Sequence, residues 1–307
     1  MNNLKIGLIG TDTTHAVAFT DLINNVNNIH YIAGGQIIAA YPGGSHDFPL
    51  SFNRVEGFME RLSSEFGVIR MDSLEELAAR SDAIMLESAD GRVHLEQFRT
   101  IASYGKPVFI DKPLALNYQD ALDIKSIAEL NRTPIMSCSA LRYAEQLTQD
   151  LECKGRSGIT SAEVFGPLNV EPTQSYFFWY GIHSVEMLYA IMGAGCLELK
   201  TETYDGYNLI TGHWRDGRIG TVRCNHNVDS GFGATIHRDQ QASFVDIQAG
   251  TKPFYASLLE HVVPFLKTGL SPVDWRETVE IIRFLEAAEQ SRQQGNIIQL
   301  EGDKPNV

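Results

Sequence analysis

The run Lys5-Ile6-Gly7-Leu8-Ile9-Gly10-Thr11-Asp12-Thr13-Thr14-His15 constrains this chain more than any other stretch. Its apolar core, Ile6, Leu8 and Ile9, ends at Gly10 and predicts a buried parallel strand. Thr11, Asp12 or Thr13 can then N-cap a helix that carries Val17, Phe19, Leu22 and Ile23. A strand that turns at once into a helix opens a doubly wound α/β sheet, and in dinucleotide-binding domains that turn carries three glycines. With Gly10 as the first, Asp12 holds the second position and His15 the third. The second glycine normally lets the main chain approach a pyrophosphate, which the helix N-terminus receives. Two like charges about 4 Å apart repel by roughly 1 kcal/mol in water and about 4 kcal/mol at an effective dielectric near 20. Asp12 therefore opposes such a ligand unless its carboxylate turns away or hydrogen-bonds a ribose or an amide. As an N-cap, Asp12 would itself occupy the helix N–H groups a phosphate needs.

Strand and helix alternate from residue 4 to residue 138. Gln36 to Tyr41 reads as a second strand, ending in Pro42-Gly43-Gly44-Ser45. No acidic residue lies between Asp21 and Asp47 to accept ribose hydroxyls at its end. Gly43-Gly44-Ser45 is a plain turn or, with Arg54 and Arg61, a cradle for a 2′-phosphate. Ser51 can cap the helix carrying Val55, Phe58, Met59, Leu62 and Phe66, and Ser73 with Glu76 forms a capping box. Strands follow at Val68 to Met71, Ala83 to Leu86, Pro107 to Ile110 and Pro134 to Ser137, the fifth delivering Asp111-Lys112-Pro113. The expected fold is α/β: an N-terminal Rossmann-like doubly wound parallel sheet over 1–141, then an α+β domain over 142–307. In the latter, strands at Ala162 to Phe165, Leu197 to Tyr204, Tyr207 to Trp214, Gly220 to His226 and Ser243 to Gln248 predict a mainly antiparallel sheet. Asp216-Gly217 closes a hairpin, and helices are expected at Ala144 to Cys153, Gly181 to Met192, Phe254 to Lys267 and Asp274 to Gln293.

Composition narrows the partners. A net charge of −13 with no basic stripe argues against nucleic acid and anionic membranes. No window is apolar enough to span a bilayer, and the start of the chain has no signal-peptide pattern, so a cytoplasmic location is expected. The four cysteines, Cys138, Cys153, Cys196 and Cys224, form no C-x-x-C pair and read as reduced thiols.

Ligands of an open parallel sheet bind beyond the carboxyl ends of its strands. That rule gathers Asp12, His15, the loop from Glu87 to His94, Asp111-Lys112-Pro113 and Arg142-Tyr143 at one crevice, which Tyr180 to Glu186 can face. His183 and Glu186, three apart in a first helical turn, share a face. These segments resemble the Gfo/Idh/MocA oxidoreductases, the glucose–fructose oxidoreductase and inositol dehydrogenase family. Asp111-Lys112-Pro113-Leu114 is similar to the family's E-K-P loop, and Ala140-Leu141-Arg142-Tyr143 to its Arg-aromatic segment. Ser88 to His94 stands at its Thr-Pro-…-His loop, and Gly181-Ile182-His183 resembles its D-x-G-x-H helix start with Trp179 in place of the Asp. Pro272-Val273 and Glu277 to Ala288 resemble its C-terminal helix.

The resemblance implies an NAD- or NADP-dependent oxidoreductase acting on a secondary hydroxyl of a sugar-like or polyol substrate. It implies Lys112 as the group that polarises the hydroxyl and His183 as proton acceptor, since charge develops on oxygen as hydride leaves carbon. Gly10, Thr11, Asp12, His15, Ser88, His94, Asp111 and Lys112 would hold the cofactor, and Arg142, Tyr180 and Glu186 the substrate. Glu186 either replaces the missing acidic partner of His183 or is a surface-helix charge. A homodimer or larger assembly would form through the C-terminal sheet, with Trp214 and Phe232 contributing. The alternative is the same fold without redox turnover, as a ligand-binding module or a hydro-lyase or isomerase. Asp12, His15, Glu87, Asp90, His94, His183 and Glu186 could supply metal ligands, but no tight spacing motif joins them and no metal is assigned.

Overall fold

The computed structural model describes residues 3–227 and 229–300. The chain divides into two compact units, one of Met1–Ala115, Gln119–Cys138 and Lys252–Asp274, the other of Leu116–Tyr118, Ser139–Thr251 and Trp275–Val307.

In the first unit, strands β1 (Leu4–Ile9), β2 (Gly35–Tyr41), β3 (Ile69–Arg70), β4 (Ala83–Leu86), β5 (Val108–Ile110) and β6 (Ile135–Met136) form one sheet. Its order is β3-β2-β1-β4-β5-β6, and every pairing is parallel. The order reverses between β1 and β4, the switch point where such sheets take ligands. Continuous apolar runs form these strands because both faces are covered: Ile6, Leu8, Ile9, Ile84, Met85 and Leu86 are all buried.

Helices α1 (Thr14–Asn24), α2 (Pro49–Phe52), α3 (Val55–Phe66), α4 (Leu74–Arg80), α5 (His94–Ala102) and α6 (Tyr118–Asn131) alternate with the strands. Of the three candidate caps for α1, Thr13 does the work, its side chain accepting from the His15 amide at 3.3 Å. Asp12 is not the cap. Ser51 does not cap α3 either; it lies inside the short α2, while Arg54 precedes α3 with no side-chain cap. Ser73 caps α4 as expected, accepting from the Glu76 amide at 3.1 Å.

The second unit holds α7 (Glu145–Lys154), β7 (Ile159–Pro167), α8 (Gly181–Met192), β8 (Cys196–Tyr204), β9 (Tyr207–Trp214), β10 (Ile219–Asn225), β11 (Gly233–Arg238) and β12 (Gln241–Asp246). The next helix, α9 (Phe254–Thr268), lies within the first unit, although chain order puts it after the second sheet. Its Tyr255 packs edge-on against Phe19 and against His15, with ring centroids 5.2 and 4.8 Å away. Helix α10 (Trp275–Gln294) and β13 (Ile298–Gln299) return to the second unit.

The second sheet runs β12-β11-β7-β10-β9-β8-β13, antiparallel except where β10 pairs with β7. Strand β11 lies between the strands expected at Gly220 to His226 and Ser243 to Gln248 and is not among those the sequence predicts. A Cβ on Gly233 would lie 2.3 Å from the Phe165 ring, which packs over this glycine. The Asp216-Gly217 turn is present, with the Trp214 amide donating to Arg218 O at 2.9 Å. Trp214 is no surface residue: it is buried against Tyr189 and Phe284, and its indole donates to Gly193 O at 2.8 Å. Phe232 is half-buried, packed on His183 and over Gly166. Among the described residues, no helix is long and apolar enough to cross a membrane.

Candidate functional site

The bend after β1 is shaped by its own chain. Gly10 has φ +89°, and a Cβ there would lie 2.4 Å from the Ser88 nitrogen, so the first fingerprint glycine is obligatory. The Gly10 and Thr11 amides donate to Tyr41 O and Pro42 O at 2.9 and 2.8 Å, which pins the end of β2 onto the bend. Thr11 Oγ1 donates to Val55 O at 2.9 Å. Asp12 faces inward, 1% exposed: its Oδ2 accepts from Ser51 Oγ at 2.5 Å and its Oδ1 from the Ala89 amide at 3.0 Å. Burial raises its carboxyl above the ordinary value, against the lowering effect of the Ser51 and Ala89 hydrogen bonds.

These contacts decide whether a dinucleotide fits. The carboxylate that stands where a glycine is usual is engaged by a hydroxyl and an amide of its own chain. The like-charge objection is thereby met, and the N-terminus of α1 stays at the surface, with Thr13 half-buried and Thr14 exposed. Beside the bend, Gly43 and Gly44 take positive φ, and a Cβ on Gly43 would meet Gly10 Cα, Ser88 Oγ and Gln97 Nε2 only at ordinary contact distance, from 3.6 to 3.8 Å. An Asp12 engaged from inside and the small residues Gly10 and Gly43 beside it are compatible with a dinucleotide. Ser88, whose hydroxyl donates to Gln97 Oε1 at 2.8 Å, belongs to this notch, and so does Gln97, which sequence reasoning missed. Its only signal is a position one helical turn after His94. Arg61 is tied to Glu65 at 2.8 Å rather than standing ready for a 2′-phosphate.

His94 is fully buried with its ring nitrogens 2.8 Å from Pro113 O and Ser88 O, so it ties the Ser88 loop to the Lys112–Pro113 turn, whose peptide is cis. Asp90 is taken by Arg92, which also bridges to Asp47 at 2.8 Å. Neither residue is available to a metal.

At the carboxyl ends of β1, β4 and β5 the fold gathers His15, Glu87, Asp111 and Lys112. His15 Nδ1 lies 2.8 Å from Asp111 Oδ2 and 4.0 Å from Glu87 Oε2. Main-chain bonds set the two acids: the Glu87 amide donates to Ile9 O at 2.6 Å and the Asp111 amide to Leu86 O at 2.8 Å. Burial alone would raise the Asp111 carboxyl, but His15 and Lys112 bring it down to about 2. Glu87 is pushed well above its ordinary value, first by burial and then by the Asp111 charge, with Lys112 opposing.

In the second unit, His183 and Glu186 both face the 3-10 turn Ala140–Tyr143 and the residue before it, but they take different partners. His183 Nδ1 lies 2.6 Å from Ser139 Oγ. Glu186 accepts from Arg142 Nε at 2.7 Å, and the same guanidinium reaches Glu277 at 2.6 Å. Glu186 therefore does not supply the acidic partner of His183. Ser139 orients the ring instead, and Arg142 is held in a buried bridge rather than presented outward. Tyr180 packs edge-on against His183 at 5.3 Å.

Two units of this kind, a parallel 3-2-1-4-5-6 sheet and a mainly antiparallel one, have the fold that the resemblance to the Gfo/Idh/MocA family implies. Residues 51–137, which include Lys112, match that family's model, described as oxidoreductase family, NAD-binding Rossmann fold. Similar solved structures span nearly the whole chain. The myo-inositol 2-dehydrogenase of Lactobacillus plantarum is 14% identical with TM-score 0.77, covering 98% of this chain and 100% of that one. The apo scyllo-inositol dehydrogenase of Lactobacillus casei is 13% identical with TM-score 0.77, covering 97% and 98%. GenD2 from gentamicin A biosynthesis, solved in complex with NAD, is 15% identical with TM-score 0.78, covering 98% and 97%. At these identities the likeness is one of fold. No curated protein matches the sequence.

Proposed function

We propose that the chain is an NAD(P)-dependent oxidoreductase that oxidises a secondary hydroxyl of a sugar-like or polyol substrate. The observation that carries this reading is Lys112, placed just beyond β5 in the stretch that matches the oxidoreductase family, beside Asp111. Structural neighbours that act on inositols support the substrate class. When bound, NAD or NADP would supply the hydride acceptor; Gly10, Ser88 and Lys112 would hold it, while Thr11, Asp12 and His94 shape the bend and loop around it and His15 and Asp111 lie beside them. Lys112 fixes and polarises the substrate oxygen. His183 takes the hydroxyl proton, with Ser139 setting its ring orientation. Tyr180 contacts substrate, and the Arg142–Glu186 pair buttresses the turn behind it.

The protein works in the cytoplasm as a homodimer or larger assembly through the second sheet. Its four cysteines are free thiols, and Phe244 on that sheet is 66% exposed. Light scattering tests the assembly: a monomeric mass at micromolar concentration would refute it.

Turnover is tested on inositols and related polyols by following nicotinamide reduction. Lys112→Ala and His183→Ala should each lower kcat by at least about 100-fold with the melting temperature nearly unchanged. Loss of the fold in both variants would mean that these residues are structural.

A further inference from the structure

Glu87 has no part in the reaction outlined above, and its setting is costly. It is fully buried, and neither carboxylate oxygen has a hydrogen-bond partner. Buried polar atoms are almost always hydrogen-bonded, and a buried acid with neither oxygen partnered is an exception that calls for a reason. The side chain is nonetheless aimed at a definite place. Its Oε2 approaches His15 Nδ1, which is itself against Asp111 Oδ2, so that one atom from each of the three side chains lies within 4.8 Å of the other two.

The chemistry of this donor set is specific. One imidazole nitrogen and two carboxylate oxygens match a dication in charge and suit a borderline metal better than a soft one, there being no thiolate. The imidazole favours zinc over calcium and magnesium, and the two carboxylate oxygens also suit manganese. Each donor is held from behind: the two acids by the main-chain bonds that extend β4 and β5, and His15 by its stack on Phe19 at 5.2 Å and its edge contact with Tyr255. An ion would give Glu87 the partner that the protein withholds. It would also replace the His15–Asp111 contact with two metal bonds. Three protein ligands leave a position for water or a substrate oxygen.

We infer that His15, Glu87 and Asp111 form a binding site for a divalent first-row transition metal ion, of the zinc or manganese type. The inference does not rest on the dehydrogenase reading, and the nucleotide titration and the metal titration can fail separately.

The test uses the full chain, stripped with a chelator and titrated with Zn²⁺ and, separately, Mn²⁺. Calorimetry reads affinity, and elemental analysis after desalting reads stoichiometry. One equivalent bound at micromolar or tighter affinity is expected, with a metal-dependent rise in melting temperature that chelator reverses. Glu87→Gln should weaken binding at least 100-fold, and its metal-free form should melt no lower than the metal-free wild type. His15→Gln, at the more exposed side of the cluster, should weaken binding similarly and serves should Glu87→Gln not fold. Cobalt substitution adds a spectroscopic reading: visible d–d absorption in the wild type that is lost in the variants. Absence of saturable binding to the folded wild type up to millimolar metal overturns the proposal, as does binding that both substitutions leave unchanged.

Discussion

Asp12 carries more of the account than any other residue, because its charge stands where a nucleotide's phosphates are usually met. The Ser51 hydroxyl and the Ala89 amide engage it from inside, and burial holds its carboxyl above the ordinary 3.8. The sign of the pH dependence follows. The folded chain binds this proton more tightly than the unfolded chain, so the stability it contributes is fully present below pH 3.8 and is lost as pH rises through the folded value. Measured by urea denaturation across that window, wild-type stability relative to the non-titrating Asp12→Asn should fall as pH rises; a difference that grows with pH would contradict the burial argument. The sequence shows that an acid replaces a glycine at this bend. It does not show which way the acid points, because the deciding donors, Ser51 and Ala89, are far away in the chain.

At the scale of elements, the Arg142–Glu186–Glu277 bridge joins the 3-10 turn, α8 and α10 within the second unit. Burial pushes the Glu186 carboxyl up, against the pull of Arg142. Removing the cation leaves a buried acid without its counter-ion, a loss of about 3–5 kcal/mol. Arg142→Ala should therefore lower the urea midpoint markedly, and Arg142→Lys less so. An unchanged midpoint would mean that the bridge is not what holds the turn. The elements themselves were legible wherever hydrophobic period and caps agreed, as in β1, β4, α4 and α8. Three were not. Helix α2 is one short turn opened by Pro49, too short to show a period. Strand β11 opens on Gly233, whose place under the Phe165 ring is not written in its own stretch. Helix α9 is legible as a helix, but its place with the first unit depends on Tyr255 meeting Phe19 and His15, which chain order does not reveal.

For the whole molecule, the order of short motifs carried the fold, since a parallel sheet followed by an antiparallel one is written in the alternation of strands and helices. The candidate site residues were only partly legible. Lys112 and His183 stand out by motif, whereas Ser139, Gln97 and the unpartnered state of Glu87 emerge only from packing. The central claim is that the bend after β1 accepts a nicotinamide nucleotide although an acid has taken the glycine's place. Titration of the purified protein with NADH and with NADPH, read by nicotinamide fluorescence, tests it most directly. The account predicts saturable binding of at least one of them in the micromolar range. No binding of either up to millimolar concentration would contradict it.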